Sequence, residues 1–300
     1  MWYTDDGLEN ENMATLGCAS ETKKVIEKYN LSIQKKFGQN FLIDDSVLSK
    51  TVEAAKVTKE DTVLEIGPGI GTMTQYIADS AGKVIAVEID RMLIPILEDT
   101  LSSYDNVKVI NQDILKVDIE KIVQEENGGR PIKVVANLPY YITTPILMRL
   151  LESELPIESI TVMVQKEVAD RMAEKPGSKD YGALSLAVQY YTNPTMVQIV
   201  PPSCFIPQPG VDSAVIHLAC HKEAPVKTVD SKFMFAIIRG AFAQRRKTLS
   251  NGITNANLGI TRDQVVLCLE KMGLDPSIRG EKLSLEEFAT LSILLYEFTH

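Results

Sequence analysis

The sequence is poor in the residues that mark secreted, metal-binding and redox proteins. Of its 300 residues, only four are cysteine and three are histidine. The cysteines are Cys18, Cys204, Cys220 and Cys268, and the histidines are His217, His221 and His300. Neither set has the close spacing of a metal site or of a Cys-x-x-Cys redox pair, so we expect buried thiols, no disulfide and no metal.

Long apolar runs are also missing. A membrane-spanning helix needs about 18 consecutive apolar residues, and no stretch of the sequence approaches that length. Residues 1–6 carry acids where a secretory signal has cations followed by an apolar stretch, so we expect a cytosolic protein with no membrane partner. The 31 Lys and Arg against 40 Asp and Glu, a net charge of -9, argue against indiscriminate nucleic-acid binding. A local basic face is still compatible with that total.

From residue 62 onward, apolar runs alternate with segments of helical spacing, which is typical of βαβ units. The predicted strands are 62–66, 83–89, 107–110, 132–136 and 160–164. The predicted helices between them are 72–80, 91–102 and 143–151. This rhythm predicts a doubly wound α/β sheet whose ligand site lies beyond the carboxyl ends of the strands.

The two ends of the chain have a different character. Residues 1–20 show no hydrophobic period, and we expect a flexible extension there. Strand-like runs at 195–200 and 214–218 flank a proline-rich segment and predict an antiparallel addition to the sheet. Helical spacing resumes at residue 230. We therefore predict three parts, an extension at 1–20, an α/β domain over 21–222 and a small all-α domain over 223–300.

A glycine-rich turn follows the first predicted strand of the sheet. Gly67, Gly69 and Gly71 lie between strand and helix, where they let the backbone approach a nucleotide-like ligand closely. Their spacing lacks the third glycine of the dinucleotide fingerprint, and no Gly-Lys-Ser/Thr follows to make a phosphate-binding loop. By itself this turn is also compatible with a strand-to-helix connection that binds nothing.

Acidic residues end the next two strands. Glu88 lies about 20 residues after the glycine turn, where a carboxylate can accept both hydroxyls of a ribose. Asp113 lies just past the third strand, within the same crevice. Either residue alone could be a helix cap or a solvated loop residue. Together with the glycine turn they favour an adenosine site, which both nicotinamide dehydrogenases and methyltransferases need.

The end of the fourth strand distinguishes these two classes. Asn137-Leu138-Pro139-Tyr140 resembles the Asn/Asp/Ser-Pro-Pro-Tyr motif of methyltransferases that modify exocyclic amines of bases. Such an amine is a poor nucleophile because its lone pair is delocalised into the ring. Catalysis therefore needs acceptors that hold and align it, and the Asn137 side chain and the Leu138 carbonyl can supply two. Pro139 can stiffen the turn, and Tyr140 can stack on the base.

Seven segments together give a specific resemblance. They are QKKFGQNFLID (34–44), EIGPGIG (65–71), VEID (87–90), QD (112–113), NLPY (137–140), FIPQPGVDS (205–213) and FAQRRKTL (242–249). In this order they resemble the KsgA/RsmA family of ribosomal RNA small-subunit adenine N6,N6-dimethyltransferases, over about residues 21–295. The fold class that this implies is a Rossmann-like S-adenosylmethionine-dependent methyltransferase domain followed by a small all-α domain.

The resemblance also implies a reaction and its partners. The reaction is two N6 methylations on each of two adjacent adenosines in a hairpin loop near the 3′ end of small-subunit (16S) rRNA. The donor is S-adenosyl-L-methionine, the substrate is a pre-assembled 30S particle, and the enzyme is a cytoplasmic monomer of small-subunit biogenesis. The implied cofactor contacts are Asn40, Leu42, Gly67, Gly69, Gly71, Glu88, Asp113 and Asn137. Phe205 is the implied second aromatic against the target base, although a phenylalanine beside prolines could equally belong to the core.

Basic residues near the carboxyl end suggest an RNA-binding face. Arg239, Arg245, Arg246 and Lys247 cluster in one predicted helical segment, and Lys35-Lys36 could extend the face. Such runs are also common on solvated helix faces.

Three other functions remain open at this point. One is a large-subunit rRNA adenine methyltransferase of the erythromycin-resistance type, although the Phe-x-Pro-x-Pro-x-Val-x-Ser segment favours the small subunit. Another is an assembly checkpoint that binds immature ribosomal subunits, with methylation secondary. The third is a nicotinamide dehydrogenase, which the Asn-Leu-Pro-Tyr segment disfavours.

Overall fold

The computed structural model describes residues 16–31, 38–153, 155–244 and 246–299. These residues form two compact units. The first takes its described residues from Met1–Thr143, Leu155–Gln165 and Val197–His217, and the second from Thr144–Glu154, Lys166–Met196 and Leu218–His300. The chain therefore crosses between the units several times, whereas the sequence pattern predicts one boundary between residues 222 and 223. That domain division stays a prediction.

A parallel sheet forms the centre of the first unit. The strands of the described residues are β1 (Phe41–Leu42), β2 (Thr62–Ile66), β3 (Lys83–Glu88), β4 (Val107–Asn111), β5 (Ile132–Asn137), β6 (Ile157–Gln165), β7 (Thr192–Val200), β8 (Phe205–Ile206) and β9 (Ser213–Cys220). The large sheet has the order β4-β3-β2-β5-β6-β9-β7, and β1 pairs separately with β8 in antiparallel fashion. The strands β4, β3, β2, β5 and β6 are parallel neighbours. The predicted α/β fold is confirmed.

The first unit also contains the helices α1 (Ala19–Lys28), α2 (Asp45–Ala54), α3 (Thr72–Ser80), α4 (Ile94–Thr100) and α5 (Ile119–Asn127). Helix α1 precedes the strands, and α2 to α5 connect β1 to β5 in turn. Asp44 begins α2 by accepting a hydrogen bond from the Val47 amide at 3.1 Å, and Asp118 caps α5 in the same way. The strand over 62–66 and the helix over 72–80 have the predicted bounds, because the glycine turn separates them sharply.

Part of the predicted extension belongs to the first unit. Leu16 is buried in a cluster with Phe41, Ile70, Leu93 and Ile96. Its backbone amide also donates a hydrogen bond to the Gln75 side chain at 3.0 Å. The segment from residue 16 to α1 therefore packs beside the glycine turn. Residues 1–15 lie outside the described residues.

The second unit is helical. Its helices are α6 (Thr143–Glu152), α7 (Lys166–Ala173), α8 (Ala183–Tyr191), α9 (Ser231–Ala243), α10 (Leu249–Thr254), α11 (Arg262–Lys271) and α12 (Leu285–Tyr296). Helix α8 belongs here because it packs on α9 and α12, and α7 packs on α8. The Tyr181 hydroxyl, for example, donates to the Leu283 carbonyl at 3.1 Å, and the Tyr190 ring meets Phe235 edge to face. Within the described part of the chain, no helix has the length and apolar character to cross a membrane.

The four cysteines are all unpaired thiols. Cys204 and Cys268 are buried, as expected, whereas Cys18 is exposed and Cys220 is partly exposed. The expectation of four buried thiols is therefore wrong for two of them, because both lie at element ends that nothing covers completely. Among the described residues, no group of three or more His, Cys, Asp or Glu is placed to hold a metal ion.

Candidate active site

A cavity opens in the first unit at the carboxyl ends of the parallel strands. Its walls come from within four segments, residues 38–42, 65–73, 88–93 and 137–141. Three of these segments follow β2, β3 and β5, which are adjacent in the sheet, and the fourth includes β1. This is the position that the topology of open parallel sheets assigns to a ligand.

The glycine turn forms one wall of the cavity. Gly67 has a φ of 70°, and a Cβ atom built on it would meet no atom within 4 Å, so the backbone faces open space there. Gly69 lies under the Phe41 ring, where an added Cβ would approach the ring to 3.2 Å. Gly71 begins α3 and faces Thr100 and Leu101 rather than the cavity. Two of the three predicted glycines therefore line the site, and the third serves packing.

Glu88 fixes the opposite side of the glycine turn. Its Oε2 accepts a hydrogen bond from the Gly69 amide at 3.2 Å, and its Oε1 accepts one from the Asp90 amide at 2.7 Å. The carboxyl is almost fully buried, and this burial raises the pKa of Glu88 to about 7 against the lowering effect of the backbone amides. The side chain nevertheless lines the cavity and has oxygen lone pairs left for a ligand.

Asp113 lies near this site but outside the cavity wall. Its side chain accepts a hydrogen bond from the Leu115 amide at 3.0 Å, which holds the turn after β4. Burial, and then the charges of Asp113 and Glu88, raise the pKa of the Tyr141 hydroxyl, so Asp113 lies within electrostatic range of the cavity. A ligand contact from Asp113 stays a prediction.

The segment around β1 is tied to both sides of the cavity. The Gln39 side chain donates a hydrogen bond to the Asp90 carboxylate at 2.9 Å, beyond the end of β3. The Asn40 carbonyl accepts one from the Asn137 side chain at 3.1 Å, at the end of β5. Asn40 and Leu42 both line the cavity, as the predicted cofactor contacts require. The segment therefore spans the site rather than merely leading into α2.

The hydrogen bond from Asn137 determines which way its side-chain amide points. A carbonyl oxygen can only accept, so the Asn137 nitrogen must face Asn40 and its oxygen must point elsewhere. Asn137 lines the cavity, which makes that oxygen available as an acceptor. A side chain held by its nitrogen and offering its oxygen is what the alignment of an amine requires.

The rest of the motif is held by local bonds. Leu138 is buried, and its amide donates to the Met163 carbonyl on β6 at 3.0 Å. The Pro139 carbonyl accepts hydrogen bonds from the Ile142 amide and from the Thr143 hydroxyl, which stiffens the turn. Tyr140 is partly exposed with its hydroxyl 2.6 Å from the Ser213 hydroxyl, and burial raises its pKa. The ring therefore has a fixed position at the edge of the cavity.

The Phe205 ring is buried in the core rather than exposed in the cavity. Phe205 pairs with Leu42 between β8 and β1, and its side chain is 1 % exposed within the core cluster around Leu48 and Ile77. It does not line the cavity. The residue is core because the antiparallel pairing with β1 turns it inward, and a base clamp formed by this ring is not supported.

The predicted basic residues fall in different environments. Arg239, on α9, forms an ion pair with Glu152 at 2.7 Å. Arg246 and Lys247 are exposed, but they lie in the turn between α9 and α10 because α9 ends at Ala243. The prediction of one basic helical segment is therefore wrong. Lys35, Lys36 and Arg245 lie outside the described residues.

Several cavity residues were not predicted to act, and three of them stand out. Glu65 is completely buried below the glycine turn, Ile89 follows Glu88, and Tyr141 is exposed over the Gly38 backbone. Each lies within two residues of a predicted residue. The doubled Tyr140-Tyr141 and the acid two residues before Gly67 are the sequence signals that could have indicated them.

A parallel sheet with a glycine turn, an acidic second strand end and an Asn-Leu-Pro-Tyr segment defines the Rossmann-like class of methyltransferases. A family model described as ribosomal RNA adenine dimethylase matches residues 30–296. The chain therefore belongs to the ribosomal RNA adenine dimethylase family, and the resemblance noted in the sequence is confirmed.

Relatives agree with this assignment. The chain is 60% identical over 287 residues to "Ribosomal RNA small subunit methyltransferase A" of Lachnoclostridium phytofermentans, covering 95% of this chain and 99% of that one. It is 53% identical to the protein of the same name from Alkaliphilus metalliredigens, covering 91% and 95% of the two chains.

Solved structures agree as well. A dimethyladenosine transferase from Plasmodium falciparum is similar with a TM-score of 0.69 and 27% identity, over 86% of this chain and 97% of that one. The 23S rRNA methyltransferase ErmE is similar with a TM-score of 0.63 and 26% identity, over 86% and 100%. The fold of the family therefore extends through both compact units.

The burial of Phe205 makes a prediction about stability. Phe205→Leu should lower the free energy of unfolding by about 1 kcal/mol, and Phe205→Ala by about 3 to 5 kcal/mol, because truncation leaves a cavity in the core. Phe205→Trp should also destabilise, through overpacking. Chemical denaturation of the variants measures these costs. Unchanged stability in Phe205→Ala would show that the ring contributes no packing and would reopen a role against the base.

Proposed function

We propose that the protein transfers methyl groups from S-adenosyl-L-methionine to N6 of two adjacent adenosines near the 3′ end of small-subunit rRNA. The products are N6,N6-dimethyladenosines in a hairpin loop. The observation that carries this proposal is the amide of Asn137, whose nitrogen is bonded to Asn40 and whose oxygen is left for an amine. The relatives named as small-subunit methyltransferases support the choice of substrate.

The cavity suits the proposed cofactor. Open space over Gly67 allows an adenosine to approach the backbone, and Glu88 can accept hydrogen bonds from a ribose. An unpaired oxygen of Glu65, buried at the cavity wall, suits a positively charged ligand. When bound, S-adenosylmethionine supplies a methyl group on a cationic sulfur.

The protein would act by holding the target amine. The Asn137 oxygen and the Leu138 carbonyl accept its two hydrogens, which favours a pyramidal nitrogen whose lone pair points toward the methyl group. The Leu138 amide is bonded to the Met163 carbonyl, which restrains the backbone that carries the Leu138 carbonyl. Tyr140, fixed by Ser213, supplies a flat surface for a base that has left its stack. No covalent enzyme intermediate is required.

We further propose that the substrate is a pre-assembled 30S particle and that the enzyme works in the cytoplasm as a monomer. The all-α residues 223–300 would contact RNA, with Arg246 and Lys247 among the groups that face phosphates. Support comes from the exposure of both side chains. Arg239 is a weaker candidate because Glu152 already neutralises it.

Similarity to ErmE keeps a large-subunit target as the second candidate. The two targets are distinguished by incubating the enzyme and tritiated S-adenosylmethionine with unmethylated small subunits and, separately, with large subunits. We expect label in the small subunit, recovered as dimethyladenosine after digestion to nucleosides. Label in the large subunit would contradict the proposed substrate.

The same assay with Asn137→Ala tests the mechanism. Turnover should fall by about 10² or more even with both substrates saturating, because a misaligned amine loses its attack geometry. Asn137 also holds Asn40, so cofactor affinity must be measured in parallel. A defect that disappears at high cofactor concentration would show that Asn137 only contributes to cofactor binding.

A transfer-dead variant that still rescues subunit assembly would favour the checkpoint function.

Cofactor binding should depend on Glu88 more than on Asp113. Glu88→Gln alters a side chain on the cavity wall, and the loss of a charged hydrogen bond costs roughly 1.5 to 3 kcal/mol, or about ten- to a hundredfold in affinity. Asp113→Asn changes a side chain outside that wall and should cost less. Calorimetric titration with S-adenosylhomocysteine gives both values. Equal affinities for wild type and Glu88→Gln would contradict the site.

RNA association should depend on the basic turn after α9. Replacing Arg246 and Lys247 with Ala should leave cofactor affinity intact and reduce the salt slope of log affinity for the small subunit by roughly 1.4 to 1.8, the contribution of two phosphate contacts. The control is the Arg262→Ala, Lys271→Ala pair, which removes the same charge from exposed positions on α11. Identical slopes in the two double variants would assign the turn to the solvated surface.

A further inference from the structure

Polar side-chain atoms that are buried without a hydrogen-bond partner are rare in proteins. The described residues contain four, and three of them lie on Glu65, Thr72 and Thr74, around the glycine turn. The fourth, on Arg171, is in the second unit. Glu65 and Thr72 both line the cavity. Two unpartnered polar groups on the cavity wall, with a third on Thr74 close to Glu65, indicate a site that is completed by a ligand.

The register of the sheet locates Glu65 within this site. Glu65 pairs with Ala86 on β3 and with Val135 on β5. Two residues further along those strands are Glu88 and Asn137, and residues two apart share a face of a sheet. Glu65 therefore lies on the same face of the sheet as Glu88 and Asn137, on the strand between theirs, and two residues further from the carboxyl edge of the sheet. It lies between the proposed ribose contact and the proposed amine contact.

The surroundings of Glu65 disfavour a negative charge. Burial raises its pKa to about 8, the nearby Thr74 hydroxyl opposes this rise, and the charge of Glu88 adds to it. Thr74 on α3 faces the carboxyl without reaching hydrogen-bond geometry. Among the groups on the elements packed around Glu65, Glu88 on β3 is the charged group that affects its pKa. No cation of the described residues has such an effect on Glu65.

We propose that Glu65 holds a proton while the cofactor site is empty and releases it to solvent when the positively charged methyl donor binds. This inference rests on the proposed function. A sulfonium placed between Glu88 and Asn137 supplies the cation that the carboxylate lacks, and the attraction is strong where water is excluded. The product of transfer, S-adenosylhomocysteine, has no sulfonium charge. Glu65 therefore favours donor over product and assists product release.

Calorimetry can count the protons. Titrations at pH 7, in buffers with different ionisation enthalpies, give the protons released when S-adenosylmethionine or S-adenosylhomocysteine binds. A group with a pKa near 8 is about nine-tenths protonated at pH 7, so up to about 0.9 proton should leave with the donor and clearly less with the product. In Glu65→Gln this difference should vanish. The preference for donor over product should also fall by about tenfold, the equivalent of one pKa unit.

The matched control is Glu158→Gln, which neutralises an exposed carboxylate of the same unit outside the cavity. Glu158→Gln should release as many protons as the wild type on binding each ligand. Any proton that the ligand's own amine releases is the same for the wild type, Glu65→Gln and Glu158→Gln, so it cancels in the comparison. Equal proton release for donor and product in the wild type, or an unchanged difference in Glu65→Gln, would overturn the inference while leaving the proposed function in place. Failure of the wild type to bind the donor at all would overturn both.

A second readout needs no variant, in case Glu65→Gln does not fold. Binding that releases a proton strengthens as pH rises, so the ratio of product to donor dissociation constants in the wild type should increase several-fold between pH 6 and 7.5. The increase should continue until about pH 8, where Glu65 in the empty site has lost its proton, whereas release from Glu88, whose pKa is about 7, would level off about one pH unit lower and would contradict the inference. A ratio that stays flat over this range would rule out proton release from Glu65.

Discussion

The in-register parallel pairing of β3, β2 and β5 is the constraint on which the site depends. Glu65 pairs with both neighbouring strands, and this register brings Glu88 and Asn137 to one edge of the sheet on one face. A slip of one residue in either pairing would turn one of these side chains to the opposite face. The buried strand residues that fix the register therefore also determine the chemistry.

Two hydrogen bonds close the site over that edge. Gln39 reaches Asp90 beyond β3, and Asn137 reaches the Asn40 carbonyl beyond β5, so the segment before α2 spans the ends of the strands. The bond from Asn137 has a double effect, since it holds the segment and orients the amide oxygen. The buried acids Glu65 and Glu88 are costly without a ligand, which is typical of residues kept for function rather than stability.

Much of the architecture could be predicted because it depends on local pattern. The glycine turn separates β2 from α3 so sharply that both have their predicted bounds. Helices α7 and α8 were not predicted. The apolar residues of α7 do lie on one face, but the helix has only eight residues. The residues of α8 are buried on nearly every face, so they form no apolar stripe, and α8 gains its partners from α7, α9 and α12. The basic segment was predicted as helical, but the extended backbone of Gln244 ends α9 before Arg246.

The sequence by itself determined the fold class, the family and the residues at the ends of β2, β3 and β5, because motif spacing and strand order are linear properties. Only the tertiary structure decided what each side chain faces. It placed Phe205 in the core through the pairing of β8 with β1, and Gly71 against Leu101. It also left Glu65 buried without a partner. Burial and hydrogen bonding depend on neighbours that are distant in the chain, and linear spacing carries little information about them.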